Sequence, residues 1–230
     1  MPLSLESRFI ENVFVIECKG QIVHGPEVKS FEACLQMGER EFKRLVVAIG
    51  EVSKLDSIGL GLLVRNVDSL RKRGGDLRLA NPPAFVSHLL DMTKLSTFLP
   101  TYATEDDAVV SFLTQTIADW PADSPGHRVL IIDQSPDLGA FARAILTQHG
   151  YQVRSAALIS DAKMLLRFQT ADFILFGPGT PEAAVESGTA ALRSLAPRAV
   201  TVALPGDLRT TDAHEAARVL LGLFQTTSPV

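Results

Sequence analysis

The sequence predicts an α/β protein made of two units. Short apolar runs of strand length alternate with segments whose apolar residues recur every three or four positions. Glycine and proline punctuate the changes from one kind of segment to the other. The pattern breaks once, at Asp119-Trp120-Pro121-Ala122-Asp123-Ser124-Pro125-Gly126, and then restarts. The expected organisation is therefore residues 1–118, a linker at 119–126, and residues 127–230. With 230 residues, 46% of them hydrophobic, the chain can fill two small cores.

The first half opens with two strands, Leu3 to Ile10 and Val13 to Cys18. Glu11-Asn12 between them predicts an antiparallel hairpin, and Gly20 ends the second strand. Pro26 opens a helix with Val28, Phe31, Leu35 and Phe42 on one face. Leu45 to Ile49 is a continuous apolar run, as expected of a central strand covered on both faces. The helix after Asp56 carries Leu60, Leu63, Val67 and Leu70 at steps of three and four, and Gly74-Gly75 stops it.

Leu77 to Ala80 is a short strand ended by Asn81-Pro82-Pro83. A helix follows with Phe85, Leu89 and Met92 expected inward, then an edge strand from Phe98 to Tyr102. Thr104-Glu105-Asp106-Asp107 resembles a capping box that opens a helix through Val109 and Phe112. This order implies one sheet with helices packed on it.

In the second half, Val129 to Ile132 is a buried strand that ends in Asp133. A helix from about Asp137 to Gln148 carries Leu138, Phe141 and Ile145 and stops at Gly150. A strand at Val153-Arg154, a helix at Ala162 to Phe168, and a strand at Phe173 to Phe176 come next. Pro181 to Leu195 is a helix, Val200 to Leu204 a strand, and Ala213 to Phe224 a last helix. Regular alternation of strand and helix predicts a doubly wound parallel sheet.

Composition excludes several classes. Residues 1–118 carry 13 basic and 15 acidic residues and the remainder 9 and 11, so neither half is a basic nucleic-acid module. The tight cationic run Arg71-Lys72-Arg73 ends a helix and complements its dipole. Cys18 and Cys34 lack the spacing of a zinc site or disulfide framework, which fits a reducing compartment. No run reaches the length of a spanning helix, and the N-terminus lacks a signal-peptide layout; a soluble cytoplasmic protein is expected. His24, His88, His127, His149 and His214 show no ligand spacing, and no nucleophile–base constellation is visible. No cofactor, metal or catalytic role is expected.

The most informative stretch is Leu55-Asp56-Ser57-Ile58-Gly59-Leu60-Gly61. It sets a hydroxyl on the first turn of a helix, where backbone N–H groups and the dipole favour a phosphate. Either Asp56 or Ser57 can also serve simply as the helix cap. Gly59 and Gly61 suit close packing of helix on sheet, and His24 falls in the loop expected near Ser57.

Residues from about 3 to 117 resemble the STAS domain of anti-sigma factor antagonists. The likeness rests on Asp56-Ser57-Ile58-Gly59-Leu60-Gly61, the apolar strand before it, Gly20-Gln21-Ile22, and Val86-Ser87-His88-Leu89-Leu90-Asp91-Met92. The chain departs at Val23, where the family often has an acid. The resemblance implies a STAS-like sheet packed by helices, with Ser57 as the residue phosphorylated by a partner. That partner is an anti-sigma factor and serine kinase of the ATP-binding GHKL type, and a PP2C-type phosphatase resets the switch. Asp56, Ile58, Gly59, Leu60, Gly61 and His24 form the expected switch loop and partner surface, with Leu62 alongside. STAS domains also serve as scaffolds that are not phosphorylated, which is the competing expectation.

Residues from about 127 to 224 resemble a degenerate response-regulator receiver, a flavodoxin-like fold. Val129-Leu130-Ile131-Ile132-Asp133-Gln134-Ser135-Pro136 follows the receiver's opening strand, with Asp133 alone of the usual acids. Asp172-Phe173-Ile174-Leu175-Phe176-Gly177 follows its third strand, and Gly177 stands where the phosphoacceptor aspartate should be. Pro205 or a neighbour replaces the usual threonine or serine after the fourth strand, and the sheet is expected to be truncated, without the fifth strand and its lysine. Without acceptor and acid cluster, phosphoryl transfer is lost whatever the fold. An active response regulator is thereby disfavoured, and docking or homodimerisation is the expected role of this half.

Overall fold

A computed structural model describes residues 2–117, 127–206 and 213–226. The chain divides into two compact units, Met1–Pro121 and Ala122–Val230. The expected linker and its Trp120 lie outside the described residues.

In the first unit, β1 (Ser4–Ile10) and β2 (Val13–Ile22) form an antiparallel hairpin closed by the pair Ile10 and Val13. Glu11 takes a left-handed conformation, φ 57°, which makes the two-residue connection tight. Helix α1 (Pro26–Glu41) leads to β3 (Arg44–Leu55), α2 (Ser57–Lys72) to β4 (Asp76–Ala80), and α3 (Ala84–Met92) to β5 (Thr101–Tyr102). The strands lie in the order β5-β4-β3-β2-β1, and all pairs after the hairpin are parallel. Helix α4 (Glu105–Ile117) ends the unit.

Alternation along the strands sets up two faces. Ile16, Leu45, Val47, Ile49, Leu77 and Leu79 pack with Phe31 and Leu35 of α1, Leu63, Val67 and Leu70 of α2, and Val86 and Leu90 of α3. α4 lies against β3, β4 and β5 with Ala108, Val109 and Phe112 buried. The buried Arg78 guanidinium stacks 3.6 Å from the Phe112 ring centroid and donates to Ser111 Oγ, so this cation is held by an aromatic face and a hydroxyl. Thr104 Oγ1 accepts the Asp107 N–H at 3.0 Å, which is the capping expected there.

Both β2 and β3 run further than their apolar runs. β3 loses β4 as a neighbour after the pair Ala48–Ala80, yet continues beside β2 to the pair Ile22–Leu55. With one side unpaired, this extension exposes Gly50, Glu51, Ser53 and Lys54 and buries Ile49, Val52 and Leu55. The register shifts between Glu17 and Lys19 and again between Gly20 and Gln21, and Gly20 adopts φ 102°. The edge strand is shorter than expected: only Thr101–Tyr102 pairs, while Phe98 packs partly buried beneath the Arg71 guanidinium, 4.8 Å from its centroid.

Helix α3 is rotated by one residue from the expected stripe. Val86 and Leu90 are buried and Leu89 partly so, whereas Phe85 and Met92 are exposed, Met92 at 71%. Val86 and Leu90 lie four residues apart and share one face, so Phe85 cannot join them. The cationic run is structural. Arg71 Nε meets Asp76 at 2.8 Å, Lys72 meets Asp68 at 2.6 Å, and Arg73 donates to the Glu39 carbonyl at 2.6 Å.

In the second unit, β6 (Arg128–Ile132), α5 (Pro136–Gln148), β7 (Gln152–Ala156), α6 (Ile159–Phe168), β8 (Phe173–Phe176), α7 (Glu182–Leu195), β9 (Val200–Ala203) and α8 (Ala213–Thr226) alternate. The strands are parallel in the order β7-β6-β8-β9. α5 and α8 enclose Val129, Ile131, Phe173 and Leu175 with Leu138, Ala142, Leu146, Leu220 and Phe224. α6 packs against α7 instead, and Gly188 of α7 leaves the room that Ile159 of α6 fills. On α5 the buried stripe is Leu138, Ala142 and Leu146, with Phe141 partly buried beside it.

Among the described residues no helix is long and apolar enough to cross a membrane, and no group of three or more potential metal ligands occurs. Burial, reinforced by Cys34 and Glu17, pushes the Cys18 thiol far above its ordinary value, and burial raises Cys34 as well. Both cysteines are free thiols.

Candidate functional site

The site is built where β2 and β3 run out together. The Asp56 N–H donates to the Ile22 carbonyl at 3.1 Å, extending the ladder by one bond past Leu55. The backbone then turns from extended at Asp56 (φ −94°, ψ 177°) into α2. Asp56 is therefore the helix cap, and Ser57 is the first helical residue.

One Asp56 oxygen, Oδ1, accepts the N–H groups of Ile58 (3.0 Å) and Gly59 (2.9 Å). The other, Oδ2, accepts the backbone N–H of His24 at 2.6 Å from the β2–α1 loop. The Leu60 N–H is taken by the Asp56 carbonyl. These bonds hold the carboxyl below the ordinary carboxylate range, the Gly59 N–H first, against a smaller opposing effect of burial. The sequence-level picture of open amides waiting for a phosphate is thus corrected: the Asp56 carboxylate already occupies the Ile58 and Gly59 amides.

Ser57 is exposed, and its hydroxyl has no hydrogen-bond partner among the described residues. Ile58 beside it is 41% exposed. One turn on, Gly61 is exposed, and a Cβ there would meet nothing within 4 Å. His24 is exposed as well. Ser57, Ile58, Gly61 and His24 therefore share the accessible part of the expected switch surface.

The remaining expected members belong to the interior. Gly59 is a packing residue: a Cβ would lie 2.7 Å from Ile22 Cγ2 and 2.8 Å from Leu55 Cδ1. Leu60 and Leu62 are buried at 8% and 2% exposure within the core cluster, since α2 packs against α1 as well as against the sheet. They cannot meet a partner, and Gly61 is not the close-packing glycine the sequence suggests.

Comparison with known proteins matches the unit that carries this segment. The STAS domain family model matches residues 4–108. The N-terminal unit is thus similar to a STAS domain. An anti-sigma F factor antagonist from Paenibacillus polymyxa is 28% identical over 115 residues, 47% of this chain and 94% of that protein. Among solved structures, the anti-sigma factor antagonist SpoIIAA in its unphosphorylated form shows 20% identity and a TM-score of 0.43, covering 48% of this chain and 97% of its own. An anti-sigma factor antagonist from Mycobacterium paratuberculosis shows 22% identity and a TM-score of 0.44, covering 47% and 92%.

In the second unit the strand ends are informative. Asp133, 3% exposed, accepts the Ser135 N–H at 2.7 Å through Oδ1 and the Gly179 N–H at 2.6 Å through Oδ2. Thr180 Oγ1 donates to the Ile132 carbonyl at 2.7 Å. Asp133 buttresses the loop after β8, as turn chemistry for Gly177-Pro178-Gly179-Thr180 requires, and both its oxygens are engaged.

Proposed function

We propose that this protein is a regulatory binding protein of the anti-sigma factor antagonist type, switched by phosphorylation of Ser57. One observation carries the reading: in a unit similar to a STAS domain, Ser57 is exposed on the first turn of a helix whose start is fixed by Asp56. The partner is an anti-sigma factor that is also a serine kinase, and it docks on Ser57, Ile58, Gly61 and His24. In the transfer, Ser57 Oγ attacks the γ-phosphorus of ATP and a new O–P bond forms. The bond from that phosphorus to the bridging oxygen breaks, ADP leaves, and the hydroxyl proton passes to a base on the kinase.

The phosphate adds nearly two negative charges beside Asp56 and inside the docking surface. Desolvation and repulsion then weaken the complex, and a PP2C-type phosphatase restores it. The C-terminal unit is read as receiver-like but without phosphoryl transfer, which its parallel strand order and the engaged Asp133 support. It serves in docking or dimerisation.

The test is intact-mass and peptide mass spectrometry after incubation with a candidate partner serine kinase of the GHKL type and ATP, with binding measured for Ser57→Ala and Ser57→Asp. A phosphate on Ser57, retained binding by Ser57→Ala and weakened binding by Ser57→Asp support the switch. Unmodified Ser57, or equal binding by both variants, identifies a permanent scaffold instead.

A further inference from the structure

Asp56 does more than cap a helix, because its two oxygens serve two different segments. Oδ1 takes the Ile58 and Gly59 amides of α2. Oδ2 takes the His24 amide of the β2–α1 loop, 32 residues away in sequence. Running the other way, the Asp56 N–H donates to Ile22 two residues before His24. Asp56 and the end of β2 thus hold each other by a reciprocal pair of bonds, one backbone and one through the carboxylate.

We infer that Asp56 is a positioning residue that latches the His24 loop to the start of α2, and that a phosphate on Ser57 loosens this latch, so that the two segments switch together. The first part stands on geometry alone. The second rests on the proposed phosphorylation.

The physical reason lies in the competition for one helix start. A phosphate on Ser57 and the Asp56 carboxylate are both anions at the same end of α2. The Ile58 and Gly59 bonds are reinforced by the helix dipole and by the continuous helical backbone. The His24 bond, made across to a separate loop, has neither support. Displacement of the carboxylate by a neighbouring phosphate therefore costs the His24 bond first. Gly25, with φ 136°, follows His24 immediately and gives that loop a backbone geometry that few other residues tolerate.

The choice of aspartate makes the idea testable. Asparagine caps helices as well as aspartate does. Its single oxygen can replace Oδ1, but its NH2 group would then face the His24 N–H, donor against donor. Asp56→Asn should therefore keep the helix start and release the loop.

Amide hydrogen exchange of the full-length protein, resolved by NMR, reads each bond separately. In Asp56→Asn the His24 amide is expected to exchange about ten-fold faster or more, with Ile58 and Gly59 within about two-fold of wild type. Unchanged His24 exchange in this variant overturns the latch. Phosphoserine installed at position 57 by genetic encoding tests the coupling without any kinase. Faster His24 exchange in that protein supports it. Protection equal to wild type overturns the coupling, whatever the Asp56→Asn result. Because the phosphate is installed directly, failure of a kinase to modify Ser57 counts against the proposed function and not against the latch.

Discussion

The Asp133 carboxylate stands where a side chain on Gly177 would have to go. A Cβ built on Gly177 would lie 2.1 Å from Asp133 Oδ2, far inside contact distance, and one on Gly179 would lie 2.9 Å from Oδ1. The glycine at the end of β8 and the acid at the end of β6 thus fit as a pair across adjacent strands. Once Asp133 bonds the loop backbone, a phosphoacceptor side chain at 177 has no space.

Gly177→Ala is expected to destabilise the protein by about 1–3 kcal/mol through overpacking. The same change made with Asp133→Ala should cost much less than the two single changes together, since the second removes the group it collides with. Thermal unfolding of the three variants measures this. Additive losses would show that the two positions are independent.

Asp56→Ala should lower stability by about 0.5–2 kcal/mol, the usual cost of a lost cap. The pH dependence follows from the direction of the shift. Folding lowers the Asp56 pKa below its ordinary 3.8, so its contribution is complete above that value. It disappears as pH falls from there through the depressed folded value. Denaturant titrations should therefore show a gap between wild type and Asp56→Ala that is constant near neutrality and closes below the ordinary carboxylate range.

Two glycines two residues apart on α2 should behave in opposite ways. Gly59→Ala drives a methyl into Ile22 and Leu55 and should destabilise by about 1–3 kcal/mol. Gly61→Ala meets open space, and alanine's better helix propensity should stabilise by up to about 1 kcal/mol. Melting temperatures of the two variants check the sign of each.

Thiol chemistry gives a further check on the core. Cys18, buried and with its thiol pushed far up, should resist alkylation until the protein unfolds. Cys34, only partly buried, should be modified first, and peptide mapping after a timed reaction shows the order.

Much of this was legible in the residues. The two-residue hairpin turn, the amphipathic helices, the glycine stop after Lys72 and the Thr104 cap all follow from local chemistry, because each depends on neighbours a few positions away. Phe85 and Met92 misled because an apolar residue on a short helix does not say which side the sheet lies. β3 misled in the opposite sense. Its polar end, Glu51 to Lys54, forms strand because β2 runs beside it, and no local signal records that pairing.

For the candidate site the division is equally physical. Local chemistry is enough to place an aspartate and a serine at the opening of a helix directly after a strand, since caps and periodicity are short-range properties. Which member of Asp56-Ser57 caps the helix and which is exposed is a long-range matter. That choice depends on the Ile22–Leu55 pairing and on the His24 loop, 32 residues away, delivering its amide to the second carboxylate oxygen. The fold also decided that Leu60 and Leu62 face inward while Gly61 faces out, because burial depends on where the sheet and α1 lie and not on the order of residues along the helix.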